Sequence, residues 1–173
     1  MKNKNLFILI GIFWVAIIVV FIASKEFTLQ MGEQVLLKTV PVDPRDLFRG
    51  DYVILSYEIS TLNLGKIPAD YKNFMVGDQI FLALKKEYGY GLPSRIYRKI
   101  PKNEKLFLKG AVKSLRGNRL SVEYGIESYF VPEGKGRELE RARGKTLVAK
   151  ISVDRFGNAL IKALLLEGRE VKF

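Results

Sequence analysis

Three carboxylates are the residues of this chain that could do chemistry. Glu127 and Glu133 are a candidate pair for general acid/base work, which needs titratable oxygens on either side of a reacting bond, and Asp51 is the third candidate catalytic residue. The plainer reading of Glu127 and Glu133 is a polar strand edge running into a turn at Pro132 to Gly134. The chain has no histidine and no cysteine. That excludes a Ser-His-Asp triad, a Cys-His nucleophile, the His/Cys zinc sites and disulfides. No cofactor and no metal site is expected.

A second cluster precedes Asp51. Asp43, Asp46 and Asp51 alternate with Arg45 and Arg49, and the arginine fork is shaped to hold planar carboxylates. Pro44 fixes φ at the second position of a turn and Asp43 can cap the backbone beside it. Such a network either pins the approach to the following strand or presents a partner-docking surface. A weak hard-cation site built from the Asp oxygens is the remaining reading, but the spacing resembles no calcium loop.

Charge supplies a third signal. The formal net charge is +11. Most of the excess falls between Lys85 and Arg119, with Lys85, Lys86, Arg95, Arg98, Lys99, Lys102 and Lys105 in its first part, opposed only by Glu87 and Glu104. Tyr88, Tyr90, Tyr97 and Phe107 are interleaved. This basic surface would suit anionic lipid headgroups or an anionic envelope polymer, or it is a set of solvated strand faces whose lysines protect edges. Nucleic acid is not expected, because the domain is expected outside the cytoplasm.

The elements that must position these groups begin with a membrane segment. No charge occurs from Asn5 to Ser24, and Leu6 to Ala23 is almost wholly apolar. Twenty helical residues span about 30 Å, the thickness of a bilayer's hydrocarbon core. Phe21 and Ile22 occupy the positions where a cleavable signal peptide would carry a small residue, so residues 1–25 are expected to be an uncleaved anchor. Lys2 and Lys4 place the amino terminus in the cytoplasm and residues 26–173 outside it.

Beyond Glu33, runs rich in Val, Ile, Leu, Tyr and Phe are broken by Gly, Pro, Asn and Asp. The pattern predicts strands at 34–39, 52–59, 79–86, 95–99, 106–114, 119–124, 145–153 and 158–166. One short helix is expected over 136–143. The fold class is therefore mostly β: a transmembrane helix followed by an antiparallel barrel or sandwich with one short helix. Alternation puts Val53, Leu55, Tyr57 and Ile59 on the core face of their strand.

Gly50 to Tyr57 reads GDYVILSY, with Gly50, Asp51, Tyr52, Leu55 and Tyr57 at the spacing of the GDYXXLXY family, which the chain resembles. The stretch YGIESYFVPEGKG from Tyr124 to Gly136 resembles the same family, so the likeness covers most of the chain after the anchor. It implies a small membrane-anchored protein without an established activity, whose relatives accompany polytopic membrane proteins. The resulting expectation is a non-enzymatic accessory or assembly component with a membrane-protein partner. An envelope enzyme using Asp51, Glu127 and Glu133, and a module binding anionic lipid or envelope polymer, are the alternatives. The proline turn, Gly-Asp and strand are also similar to signal-peptidase-like Ser-Lys proteases. Val42 stands where their serine would fall, which removes that nucleophile.

Overall fold

A computed structural model describes residues 2–40, 52–71, 73–131 and 147–171. The turn cluster, from Asp43 to Asp51, lies outside the described residues, as do Glu133 and the short helix expected over 136–143.

The chain opens with helix α1, Lys2–Met31. It continues past the uncharged run because Lys25, Glu26, Leu29, Gln30 and Met31 are all good helix formers. Every residue from 5 to 27 is exposed, whereas Thr28 is buried, so the helix projects away from the β domain and engages it only by its last turn. Gly32 terminates it, its N–H donating to the Thr28 carbonyl at 3.0 Å. Ser152 Oγ donates to the same carbonyl at 2.6 Å. A Cβ at Gly32 would stand 2.5 Å from both that carbonyl oxygen and Ser152 Oγ, so only glycine lets the chain leave the helix at this contact.

Among the described residues twelve strands follow: β1 Glu33–Val40, β2 Tyr52–Ile54, β3 Ser56–Tyr57, β4 Thr61–Asn63, β5 Gln79–Glu87, β6 Tyr90–Tyr97, β7 Phe107–Arg116, β8 Arg119–Glu123, β9 Ser128–Phe130, β10 Leu147–Val153, β11 Ala159–Leu166 and β12 Arg169–Glu170. The main sheet runs β12-β11-β10-β1-β6-β5-β7-β8-β4, with β3 also on β1, and β2 pairs β9 separately. Its strands pair antiparallel except for the parallel bridge Leu36↔Tyr90 joining β1 to β6, and Ala69 adds an isolated parallel bridge to Ile96 of β6. Both ends of this path are edges, so the sheet is not a closed barrel. It curls nonetheless, because Leu164 of β11 and Leu120 of β8 belong to one buried cluster with Val35, Leu82, Ile96 and Ile151. Burial of this apolar surface is the main stabilising term.

Hairpin geometry follows turn chemistry. Tyr88 and Gly89 both adopt positive φ, 51° and 87°, the mirror-image turn whose twist matches that of the flanking strands. Two expectations change. The strand expected over 52–59 divides at Leu55 because its halves have different partners, β9 for β2 and β1 for β3, and a 3-10 turn follows at Glu58–Ser60. The strand expected over 95–99 instead spans Tyr90–Tyr97 and passes through Pro93. Proline has no N–H to give a ladder, and here it stands beside a bulge at Ser94, where the register on β5 slips between Ala83 and Leu84.

Candidate functional site

The two family-like stretches meet in space. Tyr52, Val53 and Ile54 of β2 pair with Phe130, Tyr129 and Ser128 of β9. The ladder is extended by the Leu55 N–H, which donates to the Glu127 carbonyl at 2.7 Å. Beyond it the strands exchange tyrosine hydroxyls. Tyr57 Oη donates to the Ile126 carbonyl at 2.6 Å, and Tyr124 Oη donates to the Ile59 carbonyl at 2.8 Å. Each ring therefore ties its own segment to the backbone of the other, and both are buried with the core. We call this arrangement the tyrosine clasp.

Local chemistry prepares it. The Tyr57 N–H donates to Ser60 Oγ at 3.2 Å, which turns the chain into the 3-10 element and brings the Ile59 carbonyl round to Tyr124. Glu127 folds back so that its Oε1 accepts the Tyr124 N–H at 2.6 Å. Gly110 supplies the room: a Cβ there would lie 2.9 Å from Cδ1 of the Tyr124 ring and 2.5 Å from Val122 Cγ1. Burial pushes both phenols well above the ordinary tyrosine pKa, and the nearby Glu127 carboxylate adds to the rise. Both stay neutral hydrogen-bond donors at any physiological pH, and neither is poised as a general base.

The candidate residues thus separate. Leu55 and Tyr57 are core residues, 3% and 1% exposed, on the face that alternation assigned to the interior together with Val53 and Ile59. Tyr52 is fixed in the β2–β9 ladder through its backbone. Glu127 is half-buried and occupied as a backbone acceptor. Asp51 and Glu133 lie outside the described residues, as do Asp43, Pro44, Arg45, Asp46, Arg49 and Gly50. Tyr124 is the clasp member that residue-by-residue reading did not single out. Its place as the first residue of the second family-like stretch is the signal that could have found it.

The basic residues are spread over the sheet. Lys85 pairs with Glu87 and Lys86 with Glu33, each at 2.9 Å. Arg95 sits over the Tyr97 ring. Arg98 stacks 4.4 Å from the Tyr71 ring centroid and reaches Asp78 at 3.3 Å, near the start of β5. Lys99, Lys102 and Lys105 are exposed in the β6–β7 connection. A small pocket of about 220 Å³ opens where β1 and β6 diverge, beside the 3-10 turn, between Leu37, Lys38, Glu58, Ile59, Tyr90 and Leu92. Among the described residues no group of three or more acidic side chains gathers as metal ligands would.

Among the described residues one helix, over Asn5–Met31, is long and apolar enough to cross a membrane. No curated protein and no solved structure matches the chain. A family model described as GDYXXLXY protein matches residues 14–164, taking in part of the apolar helix, the clasp and the main sheet as far as Leu164 of β11. The chain belongs to the GDYXXLXY protein family.

Proposed function

We propose that this is a single-pass membrane protein, anchored by residues 1–25, whose β domain over 26–173 is extracytoplasmic and serves as a non-enzymatic accessory or assembly partner of another membrane protein. The observation that carries this reading is the junction. The apolar part of α1 is exposed throughout, while its last turn is seated on β10 by the Thr28–Ser152–Gly32 contact. A domain held this way keeps a fixed height and bearing on its membrane helix, as a positioning partner requires and a freely tethered enzyme does not. The occupation of Glu127 by the Tyr124 N–H favours a structural over a catalytic role for that carboxylate.

In-membrane crosslinking of the full-length chain, read by mass spectrometry, tests the role. A stoichiometric membrane-protein partner retained by the native chain and lost by a folded Arg45→Ala/Arg49→Ala variant supports it and assigns the interface to the turn cluster. Absence of any partner from both samples refutes it. A reporter fused after Phe173 that is active only in the cytoplasm would refute the orientation.

A further inference from the structure

We propose that the turn between β10 and β11, Asp154–Asn158, is a second membrane contact, with Arg155 and Phe156 at its tip resting in the phospholipid headgroup layer of the bilayer that α1 crosses. This deepens the anchoring reading and rests on it.

Placement is the first argument. Strand β10 ends beside the start of β1, with Val153 opposite Glu33, and the next residues continue toward the helix. Ser152 already touches Thr28. Thr28 is one turn beyond Ser24, the last residue of the uncharged run, and therefore about 6 Å past it along the axis. The headgroup layer is roughly 5–8 Å deep on each side of the hydrocarbon. A turn carried past the level of Ser152 by a strand running toward the membrane arrives at that depth.

The second argument is chemical. Phe156 is 49% exposed at the tip of a five-residue turn, where the fold has no need of an aromatic ring. The Arg155 guanidinium lies 4.8 Å from its centroid. A half-exposed phenylalanine can rest its ring against the acyl chains while the arginine beside it forks onto a phosphodiester. Phe27, 67% exposed and three residues past Ser24 on α1, lies at about the same depth.

Rigidity is the third. Asp154 Oδ1 accepts the N–H groups of Phe156 and Asn158, and Oδ2 accepts the Asn158 side-chain amide, so its charge is engaged within the turn. The Gly157 carbonyl accepts the Lys109 N–H at 2.8 Å, which fastens the turn to β7. Gly157 has φ 83°, and a Cβ there would stand 2.9 Å from the Phe107 ring. The tip is thus presented on a braced support.

Depth-dependent quenching of the full chain in nanodiscs tests the contact. Trp14, at the middle of the uncharged run, is the only tryptophan. Its quenching by lipid labelled deep in the acyl chain reports the anchor alone. Phe156→Trp, in a Trp14→Phe background, is read with a lipid labelled just below the headgroup. Arg155→Trp is the second variant, because an exposed side chain outside the turn's hydrogen bonds does not disturb folding. Met75→Trp is the control, exposed ahead of the β5 end that points away from α1. The shallow label should remove most of the emission of the 155 and 156 variants and leave the Met75 variant unchanged. If Trp14 is quenched by the deep label while both turn variants behave like the Met75 variant, the contact is overturned and the anchor stands. If Trp14 itself escapes the deep label, the anchoring reading fails and the contact with it.

Discussion

Replacing Tyr57 by phenylalanine should destabilise the domain at neutral pH and cease to do so in alkali. At pH 7 the loss of the hydroxyl leaves the buried Ile126 carbonyl without its 2.6 Å donor, at a cost of about 1–3 kcal/mol. The linkage runs the other way. The Tyr57 hydroxyl has its pKa raised in the folded protein, first by burial and then by Glu127, so the folded state holds its proton where the unfolded chain releases it. Its stabilisation is complete below the ordinary tyrosine pKa of about 10 and is lost as pH rises above it. The loss is about 1.4 kcal/mol per pH unit, or about 2 kcal/mol by pH 11.5. The gap between native protein and Tyr57→Phe, about 2 kcal/mol at pH 7, should therefore close near pH 11.5. Urea unfolding of the full chain in detergent, followed by circular dichroism across pH 7–11.5, measures that gap. Taking the difference between two proteins cancels the lysines and the other phenols they share. A gap that stays constant over the whole range would refute the reasoning. So would a variant as stable as the native protein at pH 7.

Tyr124→Phe should behave in the same sense, since its phenol is also raised by burial and by Glu127, and tyrosinate absorbance near 295 nm should show both groups ionising only as the domain unfolds. Glu127→Gln should cost less than about 1 kcal/mol, because the amide oxygen still accepts the Tyr124 N–H, whereas Glu127→Ala should cost about 1–3 kcal/mol in the same urea assay. Gly110→Ala should lower stability by about 1–3 kcal/mol by overpacking Val122 and Tyr124, read as a drop in thermal midpoint of roughly 2–4 °C per kcal/mol. Ser152→Ala should leave the β domain's unfolding midpoint nearly unchanged while loosening the helix junction, seen as faster amide hydrogen exchange at Gly32, whose N–H bonds the same Thr28 carbonyl.

Local signals carried most of the strands and the face that the 52–59 segment buries. Val53, Leu55 and Tyr57 are interior because a strand's period of two sorts side chains without reference to the rest of the fold, and Ile59 is interior although it sits in the 3-10 turn that follows. The turns at 88–89, 117–118 and 156–158 each carry a glycine, Gly89, Gly117 or Gly157, that adopts positive φ, a signal that is local in the sequence. What escaped was non-local. The division of the 52–59 strand at Leu55 depends on two partners from distant parts of the chain, and the β9 pairing is too short to carry a pattern of its own. The clasp joins residues 69 and 65 positions apart, through carbonyls that every residue possesses, so no side-chain type at 126 or 59 marks the acceptor. Pro93 misled for a clear reason, since a proline ends a strand unless a bulge excuses its missing N–H. The seat of α1 on β10 was invisible because a Ser, a Thr and a Gly, spread over 124 positions, meet only in the folded chain.

The place of β1 between β10 and β6 has a consequence for how the protein is made. β1 follows directly on α1, so it leaves the ribosome early, yet the Thr39 hydroxyl waits for a carbonyl at Leu147, 108 residues later. At about 5–20 residues per second, synthesis takes roughly 5–20 s to deliver that partner. Pairing with β3 at Thr39 and Val40 and the single bridge to β6 at Leu36 arrive sooner but leave residues 33–38 without their β10 ladder. During this interval a new chain carries β1, with its Val35, Leu36 and Leu37, open to other strands, and on the proposed anchoring it does so beside a membrane holding other nascent chains, the circumstance in which strands pair wrongly. The order of synthesis thus leaves β1 exposed for longer than its place inside the finished sheet suggests.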